Sequence, residues 1–209
     1  YFSVTTLFGI VCQFFMGVSL SAAVREFQSV DDLLGRPVRS GITASYSEAR
    51  SSLSEDTVEQ AHNRVVGKLD AMTPRNGRSG RLLSVDATCV QLDDTVENLK
   101  LFDYAACQKP GCGFPVMQQV ALMDLGSGAL TDVIATAQRD GESPLFEAGL
   151  SHLLDPGDLL LADRAYCSYL NFVRITEQGA DAVMRLNSSR DQKALKRSDD
   201  VIVTWKRPD

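Results

Sequence analysis

The chain has 209 residues, an ordinary apolar fraction of 44% and a formal net charge of −6. That length supports one or two domains with a sizeable core. The acidic balance argues against a generic nucleic-acid binder. The five scattered cysteines are odd in number and read as reduced thiols of a cytosolic protein, not as a disulfide framework.

The charge is unevenly spread. Residues 1–85 carry nine Lys/Arg against eight Asp/Glu, residues 86–164 four against thirteen, and residues 165–209 eight against six. The negative charge therefore sits in the middle segment, which suits a cation site there and leaves contact with nucleic acid to the flanks. The chain begins at Tyr1 rather than Met and reads as a fragment or an incomplete reading frame.

Residues 1–24 contain no charged residue. A transmembrane helix needs about 20 predominantly apolar residues, and Ser, Thr and Gln interrupt this stretch. A signal peptide needs a basic start, which is missing. The segment reads as a buried helix of a helical domain. Helix continues from Ser21 to Phe27, and Asp31 to Leu34 forms a short second helix stopped by Gly35 and Pro37. Thr43 opens a helix through Arg50. Ser54 opens another to about Leu69, with Val58, Ala61, Val65 and Leu69 as its apolar face. These short helices form either a helix-turn-helix-like DNA-binding unit or a small bundle that only packs. Residues 70–81 follow as a basic linker holding Arg75, Arg78 and Arg81, a solvated loop or a phosphate contact.

A second domain begins near Gly80. Leu82 to Leu92 reads as a strand and Val96 to Leu101 as a helical turn. Pro115 to Leu125 and Ala129 to Ala137 are strands joined by the Gly126-Ser127-Gly128 turn. Ser143 is a candidate N-cap with Pro144 at the first helical position. Leu145, Phe146, Leu150, Leu153 and Leu154 make that helix's apolar face. Leu159 to Ala162 is a continuous apolar strand of the buried parallel type. Ser168 opens a helix that Gly179 stops, and Ala182 to Leu186 is a fifth strand. Val201 to Trp205 is one more candidate strand. Cys107 and Cys112 have the look of half a zinc site, but no second Cys/His pair follows them.

Two of these apolar stretches each hold an aspartate that calls for an explanation: Leu82-Leu83-Ser84-Val85-Asp86-Ala87-Thr88 and Asp158-Leu159-Leu160-Leu161-Ala162-Asp163-Arg164-Ala165-Tyr166. An ionised carboxylate in a buried strand is costly unless it is paired or holds a metal. A shared divalent cation accounts for both, since hard cations take carboxylate oxygens. Arg164 beside Asp163, and Arg185 in the fifth strand, are candidates for phosphate contact, with ordinary surface arginines as the alternative.

The wording around the two aspartates resembles the first and second acidic motifs of DDE transposases from bacterial insertion sequences, most closely the IS-four family. The resemblance is tight at Ser84–Thr88 and Leu160–Tyr166, and runs more loosely from about Leu20 to Asn187. It implies an α/β, ribonuclease H-like mixed sheet with flanking helices, preceded by a small helical DNA-binding domain. The boundaries are then 1–79 for the helical domain and linker, 80–187 for the catalytic core and 188–209 for the start of a β-rich insertion. In that fold the first and fourth strands are parallel neighbours, which sets Asp86 beside Asp163.

The resemblance also implies the chemistry. Two Mg²⁺ or Mn²⁺ ions about 3.5–4 Å apart support phosphodiester hydrolysis and strand transfer. Asp86 bridges both ions and Asp163 holds one. The partners implied are double-stranded DNA, as terminal inverted repeats and target, and further copies of the chain assembled on it. The implied location is the bacterial cytoplasm at the nucleoid, with no membrane. The family's third acid follows a Tyr/Arg/Glu/Lys pattern that no residue after Asp163 matches. Glu177 is the only later Glu, and it reads as a surface residue. The final Glu is expected downstream of Asp209, so this chain is expected not to cut DNA at a useful rate by itself. Two other readings stay open at this point: a non-catalytic DNA-binding or assembly remnant, and a ribonuclease H-like nuclease unrelated to transposition.

Overall fold

The computed structural model describes residues 3–37, 41–75, 80–105, 113–137 and 141–186, with 202, 204 and 205. Arg78, Cys107, Cys112 and most of the segment after Leu186 lie outside them. The chain divides into two compact units, Tyr1–Gly67 and Lys68–Asp209.

The first unit is helical. It holds α1 (Ser3–Met16), α2 (Leu20–Leu33) and α3 (Thr43–Ser51), and α4 (Glu55–Met72) begins in it. The hydroxyl of Ser19 caps α2 by accepting the Ala22 N–H at 3.3 Å. The two helices expected over 21–27 and 31–34 are one, because no Gly or Pro between them interrupts the backbone ladder. Val24, Phe27 and Tyr46 form the core. A side chain at Gly9 would run into the Tyr46 hydroxyl and the Phe27 ring, so α1 approaches its neighbours closely there. This places α1 in a packed helical unit. No helix among the described residues is long and apolar enough to cross a membrane. The apolar face expected of α4 is not covered, since Val58, Val65 and Leu69 are all exposed.

The second unit is built on a five-stranded sheet of order β3-β2-β1-β4-β5. Its strands are β1 (Leu82–Gln91), β2 (Val116–Asp124), β3 (Ala129–Ala137), β4 (Leu159–Ala162) and β5 (Asp181–Met184), with the short helix α5 (Val96–Leu101) between β1 and β2. The first three form an antiparallel meander. β4 lies parallel to β1, and β5 parallel to β4. A meander followed by parallel crossovers, flanked by helices, is the ribonuclease H-like arrangement expected from the sequence. The described residues 202, 204 and 205 are not in a strand. Trp205 instead meets Phe172 edge-on at 5.2 Å.

Side chains alternate across the sheet. Leu83, Val85, Val120, Leu122 and Leu160 point to one face and pack there against Phe146, Leu150, Leu154 and Ile175. Those partners come from the two crossovers. The second is α7 (Tyr169–Glu177), capped by Ser168 and stopped at Gly179, whose φ is 75°. The first opens with α6 (Glu142–Leu145), passes through one π turn at Phe146–Leu150 and closes in a 3-10 turn at Ser151–Leu153. Ser143 does not cap this helix as expected. Gly141 takes the cap position with no side-chain bond, and the Ser143 hydroxyl accepts from Asn171 Nδ2 at 2.9 Å.

One buried ion pair locks β1 to β4. Asp158 stands one residue before β4 with its side chain 1% exposed, and Arg81 one residue before β1 at 15%. The guanidinium donates to Asp158 Oδ2 at 2.6 Å from Nη2 and at 3.1 Å from Nε, and to the Leu153 carbonyl at 2.8 Å. The N–H groups of Arg81 and Asp155 donate to the same carboxylate at 2.6 and 2.9 Å. Burial alone would raise the Asp158 pKa, but these hydrogen bonds and the Arg81 charge outweigh it and hold the carboxyl below its ordinary value. Gly80 lets the strands come this close, since a Cβ there would overlap the backbone of Gly157 and Asp158. Arg81 is therefore a structural residue, not part of a solvated basic loop. Its Nε and Nη2 bind Asp158, Asp155 and the Leu153 carbonyl.

Removing one partner of a buried, hydrogen-bonded pair strands the other, at a cost of about 3–5 kcal/mol. Asp158→Ala is expected to lower the unfolding free energy of the second unit by an amount of that order, read from the drop in its urea midpoint. Because folding depresses the Asp158 pKa, its contribution is complete above the ordinary value of 3.8 and is lost as pH falls through the folded value. The wild-type chain should thus lose stability on acidification over a range where Asp158→Ala loses less, which parallel denaturant titrations from pH 7 to pH 3 would check.

Candidate functional site

The parallel register pairs Leu83 with Leu160 and Val85 with Ala162. The next step along each chain is Asp86 and Asp163. β4 ends at Ala162, whereas β1 runs on to Gln91. A notch therefore opens at the carboxyl end of β4, where ligand sites of open α/β sheets gather. Asp86 and Asp163 line the same open cleft of about 440 Å³, with Ser84, Leu161, Val183 and Arg185.

Both carboxylates are exposed. The sequence reading placed them inside buried strands, and this is corrected. Val85 and Ala162 turn to the side packed against Phe146, Leu150, Leu154 and Ile175, so the residues after them face away from that core and are exposed. Each Asp is held locally. Asp86 Oδ1 accepts its neighbour's N–H, from Ala87, at 2.9 Å, and Asp163 Oδ1 accepts the Ala165 N–H at 2.6 Å. Neither Oδ2 takes a hydrogen bond among the described residues.

Behind this pair stands Tyr166, fully buried, with its ring edge-on to Phe146 at 5.9 Å. Its hydroxyl is buried without a hydrogen-bond partner. Burial first, and then the charges of Glu142, Asp86 and Asp163, push the phenol well above its ordinary range. Asn171 ties the neighbourhood together. Its Nδ2 donates to Ser143 Oγ at 2.9 Å and to the Tyr166 carbonyl at 2.7 Å, joining the start of α6 to the turn after Asp163.

The transposase DDE domain family model matches residues 77–209, which cover the sheet and both aspartates. The chain belongs to the transposase DDE domain family. Comparison with curated proteins gave no match.

The transposase fold brings together three of the residues expected to act: Asp86, Asp163 and Arg185. Arg164 follows in the exposed turn after Asp163. Arg75 is on the surface, paired with Asp70 at 2.6 Å, and Arg81 is occupied by Asp158. No group of three His, Cys, Asp or Glu converges on one ion position among the described residues. The donor set at the notch is two hard carboxylates in an open cleft. That fits Mg²⁺ or Mn²⁺, since Mg²⁺ keeps several waters and takes few protein ligands.

No motif marks Glu142, half-buried at the start of α6 and five residues beyond the end of β3, whose carboxyl is pushed up by burial and then by the charges of Asp163 and Asp86. Asn171 was also passed over, although it is fully buried and lies in the first turn of α7. Asn171→Ala should unlink the start of α6 from the Asp163–Tyr166 turn by removing two hydrogen bonds, at a cost of about 1–3 kcal/mol. Urea unfolding followed by far-ultraviolet circular dichroism would measure it.

Proposed function

We propose that this transposase holds a divalent cation, Mg²⁺ or Mn²⁺, between Asp86 and Asp163 and uses it to cut and join DNA at the ends of an insertion sequence of the IS-four-like kind. The observation that carries this reading is the shared cleft: two carboxylates, adjacent in register on parallel strands, face one open space. When bound, the ions supply a nucleophile at neutral pH and neutralise charge at the scissile phosphate. Asp86 and Asp163 hold them, each fixed by a local N–H bond that sets its free oxygen. Arg185, on the same cleft wall, draws the phosphate backbone towards a surface that two acids would otherwise make repulsive. Arg164 extends the positive edge, and Arg75 and Arg78 offer phosphate contacts before the sheet. In this reading the helical first unit binds the terminal inverted repeats, and copies of the chain assemble on the paired ends.

Nicking of supercoiled plasmid in Mg²⁺ or Mn²⁺, by a version extended to carry the third Glu expected downstream, should fall about a hundredfold in Asp86→Asn and in Asp163→Asn, since misplacing the reacting groups costs on that order. Nicking that survives Asp86→Asn undiminished would sink the reading.

Arg164→Ala and Arg185→Ala should each weaken duplex binding evenly across sequences, and each should reduce the slope of log affinity against log salt by about one. Fluorescence anisotropy across a salt series checks this. A sequence-dependent loss would instead point to base contacts.

A further inference from the structure

We propose that α4 is a self-association surface on which the α4 of a second copy of this chain packs antiparallel, so that the protein pairs before it meets DNA. The inference goes beyond the assembly on paired ends proposed above, because it names the surface and needs neither DNA nor a cation.

α4 is 18 residues long, about 27 Å of helix. None of its residues is buried. Val58, Val65, Leu69 and Met72 are exposed. With the half-buried His62 between the two valines, these positions follow one another at steps of four, three, four and three. That is the repeat of a coiled-coil seam, which keeps one line of side chains turned towards a partner helix. A helix of this length draws most of its stability from packing of its apolar face, and this face is open.

The charges select the occupant and its direction. The first turns of α4 are acidic, with Glu55, Asp56 and Glu59. The later turns carry Arg64 and Lys68, and their one acid, Asp70, is engaged by Arg75 at 2.6 Å. A second α4 laid parallel sets acid beside acid and base beside base. Laid antiparallel with the helix ends level, Val58 faces the partner's Leu69, His62 faces the partner's Val65, and Glu59 stands level with the partner's Lys68. Every such contact occurs twice about a two-fold axis, so the arrangement closes at two copies. Opposite charge along the helix and an apolar seam that complements itself are what a second copy of this chain supplies.

The test is the molar mass of the 209-residue chain, measured by light scattering over a concentration series without DNA or metal, with circular dichroism to check that each variant folds. The variants are Val65→Glu, Glu59→Lys, Lys68→Glu and the last two together, with Val96→Glu on exposed α5 as a control. Val65 is 57% exposed, so a charge there leaves the fold of the free chain intact. The wild type is expected to pass from monomer to dimer as concentration rises. Val65→Glu should raise the dissociation constant about tenfold or more, because it carries an unpaired charge into the seam. Glu59→Lys and Lys68→Glu should each weaken the dimer about twofold, and the two together should restore it, because the swap rebuilds the opposed pairs. Neither misfolding nor general stickiness gives that restoration. A wild type that stays monomeric to its solubility limit overturns the inference and leaves the stripe to DNA or to another part of a longer chain. So does a dimer that Val65→Glu leaves intact, one that Val96→Glu loosens as much, or a double variant no stronger than the single ones. Nicking by Asp86→Asn and Asp163→Asn bears on the cation reading alone, so either conclusion can fail without the other.

Discussion

The parallel pairing of β1 with β4 is the constraint on which the rest of the second unit depends. It is set at one end and used at the other. At the amino end, Arg81 and Asp158 pair under near-complete burial, and the Leu159 N–H donates to the Arg81 carbonyl at 2.9 Å. Five residues along each chain stand Asp86 and Asp163. A strand slipped by one residue turns every side chain to the other face. A slip of β4 would therefore bury Asp163 against Phe146 and expose Leu160. The ion pair thus specifies register as well as adding stability, and register is what brings the two carboxylates to one cleft.

Much of this was legible in the sequence, for identifiable reasons. Leu159–Ala162 reads as a buried parallel strand because it is a short apolar run between Pro156-Gly157 and a polar turn. The Gly126-Ser127-Gly128 turn marks the hairpin, and β3 falls where its composition places it. Ser168 and Gly179 bound α7 as cap and stop. The pairing of Asp86 with Asp163 followed once the first and fourth strands were taken as parallel neighbours.

What could not be read has a common cause. Arg81 and Asp158 are 77 residues apart, and nothing local tells an arginine bound for a buried carboxylate from one left in solvent. Among Arg75, Arg78 and Arg81 the reading by composition treated all as alike. The exposure of Asp86 and Asp163 was missed for a related reason. An apolar run shows that a strand is buried on at least one face, but where the neighbouring strand ends decides whether the next residue meets protein or solvent. The face of α4 shows the converse, since helical spacing of Val58, Val65 and Leu69 makes an apolar stripe without supplying a partner for it.

The structure also sorts the acids that give the middle segment its negative charge. Asp158 and Asp155 face Arg81. Asp124 closes the β2–β3 turn by accepting from the Gly126 N–H and the Ser127 hydroxyl, each at 2.9 Å. Asp94 accepts the Tyr104 hydroxyl, and Glu147 pairs with Arg174. Asp86, Asp163 and Glu142 are not among these, and no lysine or arginine forms an ion pair with them among the described residues. Burial, and then the charges of Asp163 and Asp86, push the Glu142 carboxyl up. Structural acids are distributed so that such costs are met by partners. A carboxylate with no basic partner at the carboxyl end of a parallel strand carries a charge that a bound cation would balance.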